Sequence, residues 1–226
     1  MKKSLLFVSP DYHTSFAYRD YLRKLGWKCD IYVPKAYPKH LLYSSEVVAE
    51  PDFRSRKILV QIINAMFSFA HFHIVGMKFK YHVHYGALQT PTSVELLFPN
   101  ARPTRRGFHL GLAVAKLLRR KIIYIPSGCR DEGLKSYFMS IENGQICGNC
   151  GFSDRCDDQN IKPLLARVQR YSDLNINHGF FETKEFQATV LPYKVIDLEH
   201  WSSSNRKPAV NQQIRVLHSH SLQTRN

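Results

Sequence analysis

The chain has 226 residues, enough for one large domain or two small ones, and its 44% hydrophobic content suits a globular fold with a sizeable core. That composition excludes a disordered or collagen-like chain. No uninterrupted apolar run reaches the ~18 residues that a bilayer span needs, since the best stretch, Lys57–Ala70, is cut by Gln61 and Asn64. With 32 Lys+Arg against 18 Asp+Glu the net charge is +14, which favours anionic partners: nucleic acid, an acidic leaflet or phosphorylated substrates.

Lys3–Ser9 (KSLLFVS) is a short apolar run that stops at Pro10-Asp11, the pattern of a buried strand. It is too short for the apolar region of a signal peptide, so a cytosolic start is expected. Tyr18, Tyr21, Leu22 and Leu25 then recur at helical spacing, with Gly26 as a stop, and Trp27–Pro34 (WKCDIYVP) reads as a second strand. Strand, helix and strand in this order predict a right-handed βαβ unit with parallel strands. Lys35–Asp52 is irregular, and Leu59, Ile62, Ile63, Met66 and Ala70 mark one face of a helix. Tyr81–Gly86 (YHVHYG) is a third strand with His82 and His84 on one side.

Leu110, Val114, Leu117 and Leu118 predict another helix, closed by Arg119, Arg120 and Lys121, cations that suit the negative end of its dipole. Lys121–Ser127 (KIIYIPS) is a fourth strand. Leu164, Leu165, Val168 and Tyr171 predict a further helix with Pro163 in its first turn. Asp173–Gly179 and Ala188–Pro192 read as short strands, Ser202–Gln212 as a polar linker, and Ile214–His218 as the start of one more strand. The alternation predicts an α/β fold, a Rossmann-like and mostly parallel sheet with helices on both faces. Ligands of such sheets bind beyond the carboxyl ends of the strands, here Ser9–His13, His84–Gly86 and Ser127–Arg130. The first of these loops, SPDYHTS, has no GxGxxG and no Walker A pattern occurs, so neither a nicotinamide nor a flavin cofactor is expected.

Four of the five cysteines, Cys129, Cys147, Cys150 and Cys156, fall in one window, about 129–160, read as a Cys-rich loop insertion. Cys147-Gly-Asn-Cys150-Gly has the form of a zinc knuckle. Four thiolates could hold a structural zinc ion or an iron–sulfur cluster. A redox CxxC, a disulfide pair and unlinked thiols are the competing readings. Cys29, inside a predicted strand, reads as a small core residue. No GxSxG or HExxH pattern is present, and the adjacent carboxylates Asp131 and Glu132 give weak grounds for a two-carboxylate hydrolase.

The order of these pieces resembles the N-terminal, acceptor-side domain of a GT-B type glycosyltransferase of the subfamily 4-like group. Lys3–Ser9 with WKCDIYVP looks like the opening βαβ unit, and Tyr81–Gly86 is similar to the strand "vvHlHfg". Lys121–Asp131 (KIIYIPSGCRD) is similar to "kivyhhhGsDvR", and Arg167–Pro192 to the exit "ryaD…vlPngid". Ile214–Asn226 looks like the first strand and loop of a donor-binding domain. Two departures stand out: Pro10–His13 replaces the usual Gly-rich loop, and Pro126-Ser127-Gly128 stands where many relatives carry His-Gly.

The resemblance implies an acceptor-side domain over residues 1–201, a linker at 202–212 and the start of a donor-binding domain at 213–226. It implies hexosyl transfer, with retention, from a nucleotide-sugar to a glycan or lipid-linked acceptor. Acceptor contacts are expected from Asp11, His13, His84, Ser127 and Arg130, and the donor loop from His218 and Ser219. No catalytic residue is assigned. A cytoplasmic location is expected, peripheral at an anionic inner membrane face reached through Arg54, Arg56, Lys57, Arg105, Arg106, Arg119 and Arg120. The alternative is a basic nucleic-acid-binding module with a zinc-supported loop, disfavoured because the basic residues are spread over several elements.

Overall fold

A computed structural model describes residues 3–8, 12–33, 47–49, 58–86, 107–126, 128–141, 147, 150, 156–177 and 186–190. The chain divides into a unit Met1–Val195 and a second, Ile196–Asn226, which lies outside the described residues, as do the predicted linker and the strand at Ile214–His218. Seven strands make up the sheet of the first unit: β1 (Ser4–Val8), β2 (Lys28–Val33), β3 (Val48–Ala49), β4 (Tyr81–Tyr85), β5 (Lys121–Ile125), β6 (Leu174–Asn177) and β7 (Thr189–Val190). Its order is β3-β2-β1-β4-β5-β6-β7, and every neighbouring pair is parallel. The sheet is therefore wholly parallel where the sequence predicts mostly parallel, and β3 lies in the stretch read as irregular.

The helices are α1 (Tyr12–Lys24), α2 (Ile58–Gly76), α3 (Leu110–Leu117), α4 (Lys135–Ser140) and α5 (Asp158–Tyr171). Right-handed crossovers place α1 on one face of the sheet and α2, α3 and α5 on the other. The side chains agree. Leu5, Phe7, Cys29, Ile31, Val33, Val83 and Ile125 pack with Phe16 of α1. Leu6, Val8 and Tyr32 pack with Phe72 and Val75 of α2 and with Phe79, while Ile122 and Tyr124 pack with Leu112 and Ala115 of α3 and Val168 and Tyr171 of α5. Burial holds the Cys29 thiol up at about 11, so it is an inert core group as expected.

Helix α1 ends as the sequence predicts. Gly26 takes φ +78°, its N–H reaches the Arg23 carbonyl, and the Trp27 N–H reaches the Leu22 carbonyl, closing the helix with paired carbonyls. The end of α3 has the same pair of bonds, with Arg119 at φ +58° in the glycine position. Pro163 sits in the second turn of α5, not the first; the N-terminus is instead capped by Asp157, whose Oδ1 accepts the Gln159 N–H at 3.0 Å.

The faces of α2 and α3 differ from the sequence reading. Leu59, Ile62, Ile63 and Met66 point to solvent, and α2 meets the sheet through Ser68, Phe72 and Val75. Phe72 stands edge-on to Tyr32 at 5.1 Å, and the Tyr32 hydroxyl lies 3.1 Å from His71 Nδ1. Gly76 lets the helix approach: a Cβ there would lie 2.8 Å from the His82 ring. Helix α3 likewise buries Gly111, Leu112 and Ala115 and exposes Leu110 and Leu117. The buried face of each helix mixes large residues, Phe72 and Val75 or Leu112, with small ones, Ser68 and Gly76 or Gly111 and Ala115, and is not the apolar stripe.

Three histidines are held neutral by burial. His73 and His82 are pushed down from 6.5 to about 4, His82 against a bond from its Nε2 to the Gly76 carbonyl. His109 falls to about 4 through burial and the charge of Arg167, which keeps its Nδ1 able to accept the Leu112 N–H as the cap of α3. Between pH 6.5 and about 4 the unfolded chain binds protons that the folded one does not. Stability is therefore full above 6.5 and is lost as pH falls towards 4. The urea midpoint should drop clearly between about pH 7.5 and about pH 5; an unchanged midpoint would contradict the burial of these rings.

Candidate functional site

The direction of winding reverses between β1 and β4: β2 and β3 lie to one side, β5 to β7 to the other. At such a reversal the loops leaving the two strands diverge to opposite faces and leave a crevice at their carboxyl ends. The register aligns these ends, with Val8 beside His84 and His84 beside Tyr124. The carboxyl ends of β1, β4 and β5, from which the loops expected to bind ligand depart, therefore share one edge of the sheet. Gly86, at φ +66°, turns the chain out of β4 and donates its N–H to the Ile125 carbonyl at 2.9 Å, tying two of the three ends together.

The five expected acceptor residues fare differently. Asp11 and Ser127 lie outside the described residues. His13 falls in the first turn of α1, directly after β1, and Arg130 in a 3-10 turn, Cys129–Asp131, that follows β5; for both only the backbone is described. His84 is 1% exposed, and its ring lies 6.4 Å from that of His82 on the same face of the sheet, the face that α2, α3 and α5 cover. His218 and Ser219 lie outside the described residues.

Sequence reasoning discounted two carboxylates that the structure brings into prominence. Asp131 and Glu132 leave the 3-10 turn and are 3% and 5% exposed, at the carboxyl end of β5. The Tyr124 hydroxyl donates to the Asp131 carbonyl at 3.2 Å and fixes this turn on the strand below it. Burial, and then the neighbouring Asp131, raise the Glu132 carboxyl from 4.5 to about 7. A carboxyl poised near neutrality can give or take a proton in a site of this kind. Adjacent acidic residues do not usually converge on one substrate atom, which is why the sequence gives them little weight; the small residues on either side, Gly128 and Gly133, are the available hint that the loop is folded tightly. Arg167 of α5 is equally buried, and α5 packs on the 3-10 turn.

None of the five cysteines is in a disulfide. The Cys150 N–H reaches the Cys147 carbonyl at 3.2 Å, the turn expected of a CxxC pair. Burial first, then the thiols of Cys150 and Cys156, push the Cys147 thiol up, so these three sense one another. Among the described residues, however, no three His, Cys, Asp or Glu side chains stand together as a metal-ligand set, and Cys129 is not drawn into one with Cys147, Cys150 and Cys156.

No family model and no curated protein matches the sequence. Among solved structures, a crystal structure of MurG from Acinetobacter baumannii is similar, with a TM-score of 0.40 and 12% sequence identity over 84% of this chain and 44% of that one. The chain thus spans less than half the length of that protein.

The raised carboxyl of Glu132 has a sign that can be tested. Because its folded pKa of about 7 exceeds the ordinary 4.5, ionising it costs stability as pH rises through this window. Glu132→Gln, an isostere that stays neutral, should raise the denaturation midpoint relative to the parent at about pH 8 and change it little at about pH 5. A lower midpoint at both values would mean that the carboxylate is stabilised by its surroundings instead.

Proposed function

We propose that this chain is the acceptor-side part of a GT-B type glycosyltransferase, subfamily 4-like, that moves a hexosyl group from a nucleotide-sugar to a glycan or lipid-linked acceptor. The observation that carries this reading is the alignment of β1, β4 and β5: three strands whose sequences resemble the family's lie side by side with their carboxyl ends in register, at and next to the winding reversal between β1 and β4. In the proposed reaction an acceptor hydroxyl oxygen forms the new bond to the anomeric carbon, the bond from that carbon to the diphosphate breaks, and the hydroxyl proton leaves to a base or to water.

Asp11, His13, Ser127 and Arg130 are the proposed acceptor contacts, since in sequence they follow the carboxyl ends of β1 and β5. His84 contributes from beneath, as part of the floor. Most of a diphosphate site would have to come from a donor domain of which this chain carries, at most, the start at His218 and Ser219. The 226-residue chain should therefore fold yet neither turn over UDP-, GDP- or ADP-sugars nor bind them with micromolar affinity by calorimetry. Robust turnover by this chain alone would overturn the assignment of its two halves.

A structural zinc on Cys129, Cys147, Cys150 and Cys156 belongs to the same proposal. Its support is that Cys147, Cys150 and Cys156 sense one another electrostatically, and that Cys129 opens the 3-10 turn packed on α5, the helix that begins just after Cys156. Binding would draw the four side chains inward and fasten the turn that carries Asp131 and Glu132. Elemental analysis of chain purified without chelator should find about one zinc per chain; metal-free, fully folded protein would remove the idea.

A further inference from the structure

Helix α2 is apolar on both sides. Its sheet face is Ser68, Phe72 and Val75; its outer face carries Leu59, Ile62, Ile63, Met66, Phe67 and Ile74, all exposed, and continues to Met77 just beyond the helix. At a rise of 1.5 Å per residue this stripe runs about 27 Å along one side of the helix. The stripe is 39–69% exposed, from Ile62 at 39% to Leu59 at 69%, and an exposed apolar patch of this extent marks a surface meant to be covered. By length and composition Leu59–Gly76 could cross a bilayer, but Phe72 and Val75 anchor it to Leu6, Val8 and Tyr32, so the helix belongs to the domain.

We infer that α2 lies in the headgroup region of an anionic membrane leaflet, with this stripe turned into the acyl boundary. The charge pattern selects that occupant. From Ile58 to Gly76 there is no Asp, Glu, Lys or Arg, whereas cations crowd both flanks in sequence, Arg54, Arg56 and Lys57 before the helix and Lys78 and Lys80 after it. At the second flank the structure adds more. Arg120 donates to the Phe79 carbonyl at 2.9 Å, and the Lys121 N–H reaches the Lys80 carbonyl, so the end of α3 with Arg119 and Arg120 joins Lys78 and Lys80. Arg119 is kept there at φ +58°, a conformation that glycine adopts without strain. An apolar stripe rimmed by cations is what an interfacial helix presents to acidic lipid. A second copy of this chain fits poorly, because two antiparallel α2 helices would bring the start of each, which follows Arg54, Arg56 and Lys57 in sequence, against the end that carries Lys78 and Lys80. The inference rests on α2 and its flanks and stands apart from the transferase reading.

The test is co-sedimentation of the 226-residue chain with vesicles of pure phosphatidylcholine or with about 30% phosphatidylglycerol, at about physiological salt. The parent should bind the anionic vesicles and not the neutral ones. Met66→Gln with Phe67→Gln keeps the charge and the helix propensity of two exposed positions, so it should leave the circular dichroism unchanged and weaken binding at least about tenfold. Lys78→Gln with Lys80→Gln should weaken it as well, and more at low salt. No binding to anionic vesicles, or binding that survives the Met66/Phe67 change, overturns the inference. So does a dimer, seen by sedimentation velocity, that the same change dissociates, because the stripe would then be covered by a second copy.

Discussion

Strand β1 can be built only if both of its faces and both of its edges are covered. All five of its residues are buried, it lies between β2 and β4, and it carries Leu5 and Phe7 to one helix layer and Leu6 and Val8 to the other. A parallel strand gives its neighbours no hairpin to follow, so each partner must arrive through a crossover that also delivers a covering helix. The need to cover β1 therefore fixes α1 on one side and α2 on the other, and with them the reversal of winding beside which the expected binding segments lie. Truncating Phe72, the α2 side chain against β1 and β2, removes a contact of the kind worth about 3–5 kcal/mol, comparable to a large share of a domain's stability.

The same demand explains which parts of the sequence could be read. β1, β2 and β5 are short apolar runs because they are buried on both faces, β4 alternates aromatic or apolar residues with His82 and His84, and the ends of all four fall within a residue or two of those expected. β3 is two residues long and has no such run. Helices α2 and α3 were placed correctly but turned wrongly, and for one physical reason. Periodicity finds the longest apolar stripe, while the face packed on the sheet sets one or two large residues, Phe72 and Val75 in α2 and Leu112 in α3, among small ones, Ser68, Gly76, Gly111 and Ala115, that allow close approach. Before α3, Gly107 is still more confined: a Cβ there would lie 2.5 Å from the Arg167 nitrogen of α5. In α2 the large residues left over are the exposed stripe.

What the sequence shows is where the strands end, and it shows less of the chemistry beyond them. Topology brings the carboxyl ends of β1, β4 and β5 to one edge, as the alternation of elements implies, but a loop's burial is invisible to composition. Asp131 and Glu132 read as adjacent loop carboxylates with weak grounds for a catalytic pair, and both are buried in a turn held on Tyr124. At the opposite edge an acid that is partly exposed behaves differently. Burial tends to raise Asp173, yet Lys116, the Ile122 N–H and Lys121 all donate to its carboxylate and hold it below the usual range. One end of β5 is thus fastened by a satisfied carboxylate, and beyond the other lies a carboxyl that burial keeps near neutrality.

The path of α2 connects that edge to the surface of the domain. The crossover leaves β3 at Ala49, at the carboxyl end of the sheet, and enters β4 at Tyr81, at the amino end, so α2 must descend between them. Its first turns, with Leu59, Ile62 and Ile63, therefore start on the side of the strand ends, and Lys78 and Lys80 lie at the far side with Arg119 and Arg120. A long apolar helix was tolerated in this position because only one stripe of it was needed to cover β1, and nothing in the packing of the core constrains what the other stripe carries. That second stripe is free to serve a surface that begins beside the strand ends and runs down to the opposite end of the sheet.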